Sequence, residues 1–285
     1  MPKKEVWDTY PEIYHYTSFS SALLIIHSAT LRANQFDSLN DTQELLYAKN
    51  IISQKLLEKF PGDTPENRKY FVDKFYSIAN AYDFYITSFC GKNPDLNSYH
   101  RENGLLSMWR NYGNDGGCAL IFKTKNMYAR TQKYYKRTQS IRTIIMGDAI
   151  YEKHNDNQPG FQENLNRFIE NASNYQKNPQ DESAYNMDDL YINLMELIVC
   201  TKHPSFHEEL EVRIALCSRD TEETKNLTPK KQYHPIPFAP DKDISRIIIG
   251  PHRNQQERYD FLKSYLSKFR LKNIDVTKSE IPLRT

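Results

Sequence analysis

Along Ile13-Tyr14-His15-Tyr16-Thr17 the chain reads as a short β-rich run. Beyond Ser18 the apolar residues Phe19, Ala22, Leu23 and Ile26 fall at helical spacing. The change from a period of about 2 to one of about 3.6 predicts a strand that feeds a helix, with Ser18 as the N-cap. Leu31 to Asn34 continues as an extended piece and Asn40-Asp41 marks a turn. Asp41 then caps a helix whose apolar face is Leu45, Ala48, Ile52 and Leu56, stopping before Phe60-Pro61-Gly62. A further helix is expected from about Pro65 to Ala81, and Phe84 to Phe89 reads as a central strand. Leu105 to Gly113 is a loop or short helical turn, and Gly116-Gly117 leads into a strand over Cys118 to Phe122. Arg142 to Tyr151 is again β-like.

The composition turns helical and polar between Asn155 and Lys202. Leu165, Phe168 and Ile169 mark one helix and Met187, Leu190, Tyr191, Leu194 and Ile198 another, parted by Asn178-Pro179. Strands resume at Glu208 to Leu216, followed by a polar, proline-bearing loop to Pro240 and a buried strand over Ile244 to Ile249 that ends at Gly250-Pro251. A final helix carries Tyr259, Leu262, Leu266 and Phe269, and Asn273 to Lys278 closes as an edge strand. These elements predict a single α+β domain over residues 1–285: a mixed, largely antiparallel sheet with surrounding helices and a helical insertion at about 155–202.

Composition narrows the picture. Lys and Arg number 38 against 36 Asp and Glu, so a net charge of +2 argues against a protein held on nucleic acid chiefly by counterion release. No run approaches the roughly 18 to 20 apolar residues that span a bilayer. Nor does an apolar segment follow Met1-Pro2-Lys3-Lys4-Glu5, so a cytoplasmic location without membrane contact is expected. With 20 Tyr and 14 Phe the core should be rich in aromatics. Cys90, Cys118, Cys200 and Cys217 are far apart and embedded in apolar runs, as buried reduced thiols are.

Three stretches could carry chemistry. His15 sits where a strand meets a capped helix, a place where a ligand meets an imidazole and free backbone N–H groups. On this stretch alone the plainer reading is a half-buried histidine with local partners. If Glu208 to Leu216 is one strand, Glu209, Glu211 and Arg213 share a face. A paired acid can raise its neighbour's pKa and so serve as a base or stabilise positive charge; the alternative is a solvated edge strand with a cross-strand ion pair. Ser107-Met108-Trp109-Arg110-Asn111-Tyr112-Gly113 can build an aromatic wall beside a guanidinium clamp, or else a Trp anchor with Arg110 in a salt bridge. His203 and His207 are four apart, but Pro204-Ser205 between them argues against a helical zinc pair. The glycine signatures of P-loop, Rossmann and α/β-hydrolase proteins are all missing.

Taken in order, Tyr14 to Ser18, Leu31-Arg32-Ala33, Asn40-Asp41, Ile86 to Phe89, Ser107 to Gly113, Phe206 to Arg213 and Ile247 to Pro251 resemble an uncharacterised bacterial domain family. Its members occur among abortive-infection and phage-defence genes, and they often carry Trp where this chain has Val212. More distantly, the layout is similar to the ADP-ribosyltransferase superfamily, in which a first-strand His or Arg holds the NAD ribose and a late strand supplies the catalytic glutamate. That resemblance implies an ADP-ribosyltransferase-like core, NAD as substrate, and transfer to a protein or nucleic acid or simple NAD hydrolysis, in a toxic effector restrained by a partner or by self-association. By position, Glu211, Glu209 and His15 would be catalytic. His15, Thr17, Thr87, Ser88, Trp109, Arg110 and Tyr112 would bind NAD, with Arg110 on the pyrophosphate and Trp109 or Tyr112 stacked on a ring. The other function classes left open are a non-catalytic nucleotide or nucleic-acid binding module and a metal-dependent nuclease.

Overall fold

The computed structural model describes residues 5–36, 42–59, 64–80, 83–91, 98–113, 116–138, 141–151, 159–177, 187–218 and 232–282. In chain order its elements begin with α1 (Val6–Thr9), β1 (Glu12–Thr17), α2 (Phe19–Ser28), β2 (Thr30–Gln35), α3 (Thr42–Lys59), α4 (Pro65–Asn80) and β3 (Asp83–Gly91). There follow α5 (Ser98–Asn103), α6 (Leu106–Tyr112), β4 (Cys118–Lys123), α7 (Thr124–Thr138), β5 (Thr143–Asp148), β6 (Ile150–Tyr151), α8 (Pro159–Lys177), α9 (Met187–Cys200) and β7 (Thr201–Lys202). A 3-10 turn, Pro204–Glu209, leads into β8 (Glu211–Ser218), and β9 (Tyr233–Pro237), α10 (Pro240–Asp243), β10 (Ile244–Ile249), α11 (Gln255–Lys268) and β11 (Asp275–Lys278) complete the chain. The result is an α+β fold on an open, mostly antiparallel sheet, as the pattern predicted. No helix among the described residues is long and apolar enough to cross a membrane.

The start of the chain folds as its periodicity requires. Ser18 Oγ accepts the Ser21 N–H at 3.1 Å and caps α2, and Ala29 ends the helix in the left-handed region at φ 51°. Ala48 and Ile52 are buried on α3, while Asn40-Asp41, Phe60-Pro61-Gly62, Asn178-Pro179 and the side chains of Leu45, Leu56, Met187 and Leu190 lie outside the described residues. All four cysteines are buried and none is in a disulfide.

Helix α7 and strand β9 are among the elements absent from the sequence reading. Helix α7 hides its inner face behind Thr124, Met127, Thr131 and Tyr135, a stripe with two threonines whose hydroxyls bond the carbonyls of Tyr10 and Met127. A polar-looking pattern thereby conceals a buried face. Strand β9 was expected as loop because of Pro235 and Pro237, yet it pairs with β2 from Thr30↔Pro237 to Asn34↔Tyr233. Among the described residues it is the last strand on its side of the sheet. Pro235 presents its carbonyl to the Tyr135 hydroxyl at 2.6 Å, away from β2, so its missing N–H costs no ladder bond.

The sheet consists of two parts. On one side lie β5-β8-β3-β2-β9 and on the other β1-β4-β10-β11. Among the described residues they are joined only where Ile13 and Tyr14 of β1 pair with Gly91 and Cys90 of β3. Further along the same side of β3, pairing passes to β2 at Asn34↔Ile86 and Gln35↔Tyr85. Between these two contacts Thr87, Ser88 and Phe89, paired with β8 on their other side, meet no described strand on this one, and the sheet splits. One apolar cluster, built on Ile13, Phe89, Leu120, Val212 and Ile214, packs under helices α2, α7 and α11. The opposite face is covered by α3, α8 and α9 near β5 and β8, and by α6 near β1.

Close backbone packing behind the split depends on Gly250. A side chain there would run into the Gly116 carbonyl and the Trp109 ring. Gly250→Ala is therefore expected to lower stability by about 2 kcal/mol through overpacking, read as a shift in the urea midpoint. A midpoint equal to wild type would show that this contact has slack.

Candidate active site at the split in the sheet

A cavity of about 240 Å³ opens at the split. Its floor is the β3 segment Ile86 to Cys90. Tyr14, His15 and Tyr16 of β1 flank one side and Arg32 and Asn34 of β2 the other, and Met108, Tyr112, Lys202, Glu209 and Glu211 close it. His15 and Glu211, 196 positions apart in the chain, thus line one cavity.

They arrive from different directions. By strand pairing, Tyr14, Cys90, Ser88, Glu211 and Arg213 share one face, whereas Phe89 and Val212 share the other. His15 alternates with Tyr14 and belongs to the second set. Its ring packs edge-on to Phe89 at 5.7 Å between centroids, and it reaches across the split to the Ser88 carbonyl with Nδ1 at 3.2 Å. Burial pushes the imidazole pKa down, and the bond to Ser88 only partly offsets this. His15 is accordingly neutral near pH 7; with Nδ1 donating to the Ser88 carbonyl, Nε2 is left as an acceptor.

Glu209 and Glu211 do not share a strand face. Chain geometry brings them together differently: the 3-10 turn ends at Glu209, Leu210 turns through the left-handed region at φ 44°, and β8 begins at Glu211. The strand is interior, flanked by β3 and β5, and it is buried from Glu211 to Cys217. Lys202 Nζ lies 2.7 Å from Glu209 Oε2, 2.5 Å from Glu211 Oε2 and 3.5 Å from Glu44 Oε1. Arg213 donates through Nε to Glu211 Oε1 at 2.7 Å and through a terminal nitrogen to Glu44 Oε2 at 2.6 Å, and its other terminal nitrogen reaches the Val199 carbonyl at 2.8 Å. Three carboxylates and two cations carry a formal net charge of −1 in a buried network.

The charge states follow from those contacts. Burial pushes the Glu211 carboxyl up, but Arg213 and then Lys202 outweigh it and hold the pKa at about 2. The raised acid expected from a pair of neighbouring glutamates is therefore overturned: the cations between the carboxylates keep Glu211 ionised. Lys202 is raised despite its burial, because Glu211, Glu44 and Glu209 surround it. Tyr112, 44% exposed at the mouth, donates its hydroxyl to Glu209 Oε1 at 3.3 Å. Burial and the Glu209 charge push its pKa up to about 12. Burial, then Glu209 and Glu211, likewise raises the Cys90 thiol, which stays neutral.

Of the other expected site residues, Thr87, Ser88 and Tyr112 line the cavity and Thr17, Trp109 and Arg110 do not. Trp109 is a correction: it is 4% exposed, its indole N–H donates to the Asn103 carbonyl at 2.9 Å and it packs edge-on against Tyr16. It anchors α6 to β1 instead of stacking on a ligand. Arg110, on the last turn of α6, is exposed and away from the cavity, and Thr17 is occupied in the β1–β4 ladder. Thr87 Oγ1 is already committed to the Arg32 carbonyl at 2.8 Å. In Arg110's place, Arg32 brings a cation to the cleft.

Sequence reasoning missed Arg32, Asn34, Lys202 and Glu44. Lys202 left a signal, since a lone cation stands one residue beyond the apolar run Leu197 to Cys200. Glu44 left none, being one acid among the charged residues of an ordinary helix. His203 caps the 3-10 turn and His207 lies within it, so the two are not a helical pair, as the intervening proline implied. Among the described residues no group of three or more His, Cys, Asp and Glu could hold a metal ion.

Residues 108–214 match the model of a family described as a protein of unknown function, DUF2971. The matched stretch contains Tyr112, Lys202, Glu209, Glu211 and Arg213, and supports similarity to an uncharacterised family. No curated protein and no solved structure matches the chain.

Proposed function

We propose that this chain is an ADP-ribosyltransferase-like enzyme that cleaves the nicotinamide N-glycosidic bond of NAD, passing ADP-ribose to water or to a macromolecular acceptor. The observation that carries the reading is the shared cavity of first-strand His15, middle-strand Ser88 and late-strand Glu211. In this reaction the C1′–N bond breaks, its electron pair leaves with the pyridinium nitrogen and neutralises it, and the ribose becomes an oxocarbenium-like cation. The attacking oxygen or nitrogen nucleophile then bonds C1′ and passes its proton to solvent water.

A buried network of net charge −1 suits that step, since fixed negative charge in a water-poor cleft favours a developing cation. Glu211 acts here as an ionised stabiliser and not as a proton acceptor. Neutral His15 accepts a ribose hydroxyl through Nε2, and Arg32 supplies the cation for the phosphates. A cytoplasmic role as a toxic effector in phage defence, with a regulatory partner or self-association holding it silent, completes the proposal.

A second reading has an observation of its own. Both Glu211 oxygens are already bonded to Lys202 and Arg213, as in a purely structural network, which favours a non-catalytic nucleotide-binding module. Incubating the purified chain with NAD and separating the products by chromatography decides between them. Released nicotinamide supports the enzyme. NAD that is bound in a calorimeter yet recovered intact would sink that reading and leave the binding module.

A further inference from the structure

A second groove, of about 640 Å³, runs along the β2–β9 edge and is lined by Ser28, Thr30, Arg32, Gln232, Tyr233 and Pro235. Arg32 also lines the cleft that holds His15 and Glu211. Arg32 therefore borders both spaces. It lies over the Tyr233 ring, 4.5 Å from the centroid, and that ring is 41% exposed.

We infer that this groove is a nucleotide subsite in which a base lies on the Arg32–Tyr233 pair and its phosphate is held by Arg32. The chemistry fits on three counts. A guanidinium stacked on a phenol ring extends a flat platform that accepts any base through its π-face. The same guanidinium presents its N–H fork to phosphate oxygens. The side-chain amide of exposed Gln232, beside Tyr233, can both donate to and accept from a base edge. Because Arg32 serves both spaces, a ligand with two nucleosides joined through phosphates would place one in each, its bridge at Arg32.

The inference deepens the NAD reading and rests on it for what fills the cleft. The nucleotide in the groove comes either from the second half of a dinucleotide or from a single-stranded nucleic-acid acceptor. The full chain would be titrated by calorimetry with AMP and, separately, with a 5′-phosphorylated thymidine decamer, alongside Tyr233→Ala and His15→Ala. The expected result is binding of at least one probe at about 1 mM or tighter, weakened about tenfold or more by Tyr233→Ala, as loss of one base stack requires, and unaltered by His15→Ala. AMP alone identifies the dinucleotide half and the decamer alone the acceptor strand; either supports the subsite. No binding of either probe, or binding indifferent to Tyr233→Ala, overturns it. Nicotinamide release separates the two ideas: release without probe binding removes the subsite and keeps the enzyme, while Tyr233-dependent binding without release does the reverse.

Discussion

Glu211→Gln is expected to cut nicotinamide release from NAD by about a hundredfold or more, in line with loss of one pre-organised stabilising group. The amide keeps the shape of the side chain but removes the negative charge closest to the developing cation, and the cluster goes from net −1 to neutral. Geometry adds a cost. Lys202 and Arg213 donate to both oxygens of Glu211, so one of those donors would face an amide N–H₂ group, and stability should fall by about 2 kcal/mol. Activity is therefore compared at a temperature where both proteins are folded, and His15→Ala serves as the companion because His15 lies outside the ion network. A loss in both variants with NAD affinity retained supports the mechanism. Full activity in either variant removes that residue from it.

Arg213→Met should have the largest effect on stability. It leaves Glu44 and Glu211 buried without their bidentate partner, and breaking such a pair costs about 3–5 kcal/mol, a fall in Tm on the order of 10 °C for a chain of this size. Acid adds a second signature. The Glu211 pKa is lowered, from 4.5 to about 2, so its contribution is fully present above about pH 4.5 and is lost as the pH falls towards 2. Wild-type thermal melts between pH 7 and pH 3 should show that loss, and Arg213→Met should flatten it. Equal slopes in the two proteins would mean that Glu211 owes its ionisation to something other than Arg213.

How much of this was legible in the sequence depended on where each signal lies. Strands β1, β3 and β10 announce themselves because their apolar residues are contiguous and bounded by clear turns. Helix α7 and strand β9 do not, since threonine hydroxyls satisfied by backbone carbonyls look polar and a proline is innocuous only on an outward-facing edge position, which is a property of the sheet. The pairing of His15 with Glu211 across the cleft is likewise a property of strand order: nothing local to either residue says that β1 and β8 both border β3. Glu209 and Glu211 were legible as a pair, though their spacing suggested a shared strand face, and only the left-handed Leu210 explains their real arrangement. Trp109 and Arg110 misled because a Trp-Arg pair reads the same whether it lines a pocket or anchors a helix. Lys202 and Glu44, by contrast, were invisible as partners because one comes from the short strand β7 and the other from helix α3, and they meet only in three dimensions.

The prolines of β9 have a consequence for association. Positions 233, 235 and 237 direct their backbone outward, as the Phe238 N–H bond to Ala29 and the Tyr135 bond to Pro235 show by alternation. Of these three only Tyr233 still has an amide hydrogen to offer. A foreign β-segment approaching that border would find its carbonyls almost without donors, so the sheet cannot be extended there by a neighbouring molecule. Contact at that flank therefore falls to side chains, and those lining the groove beside it include Arg32 and Tyr233.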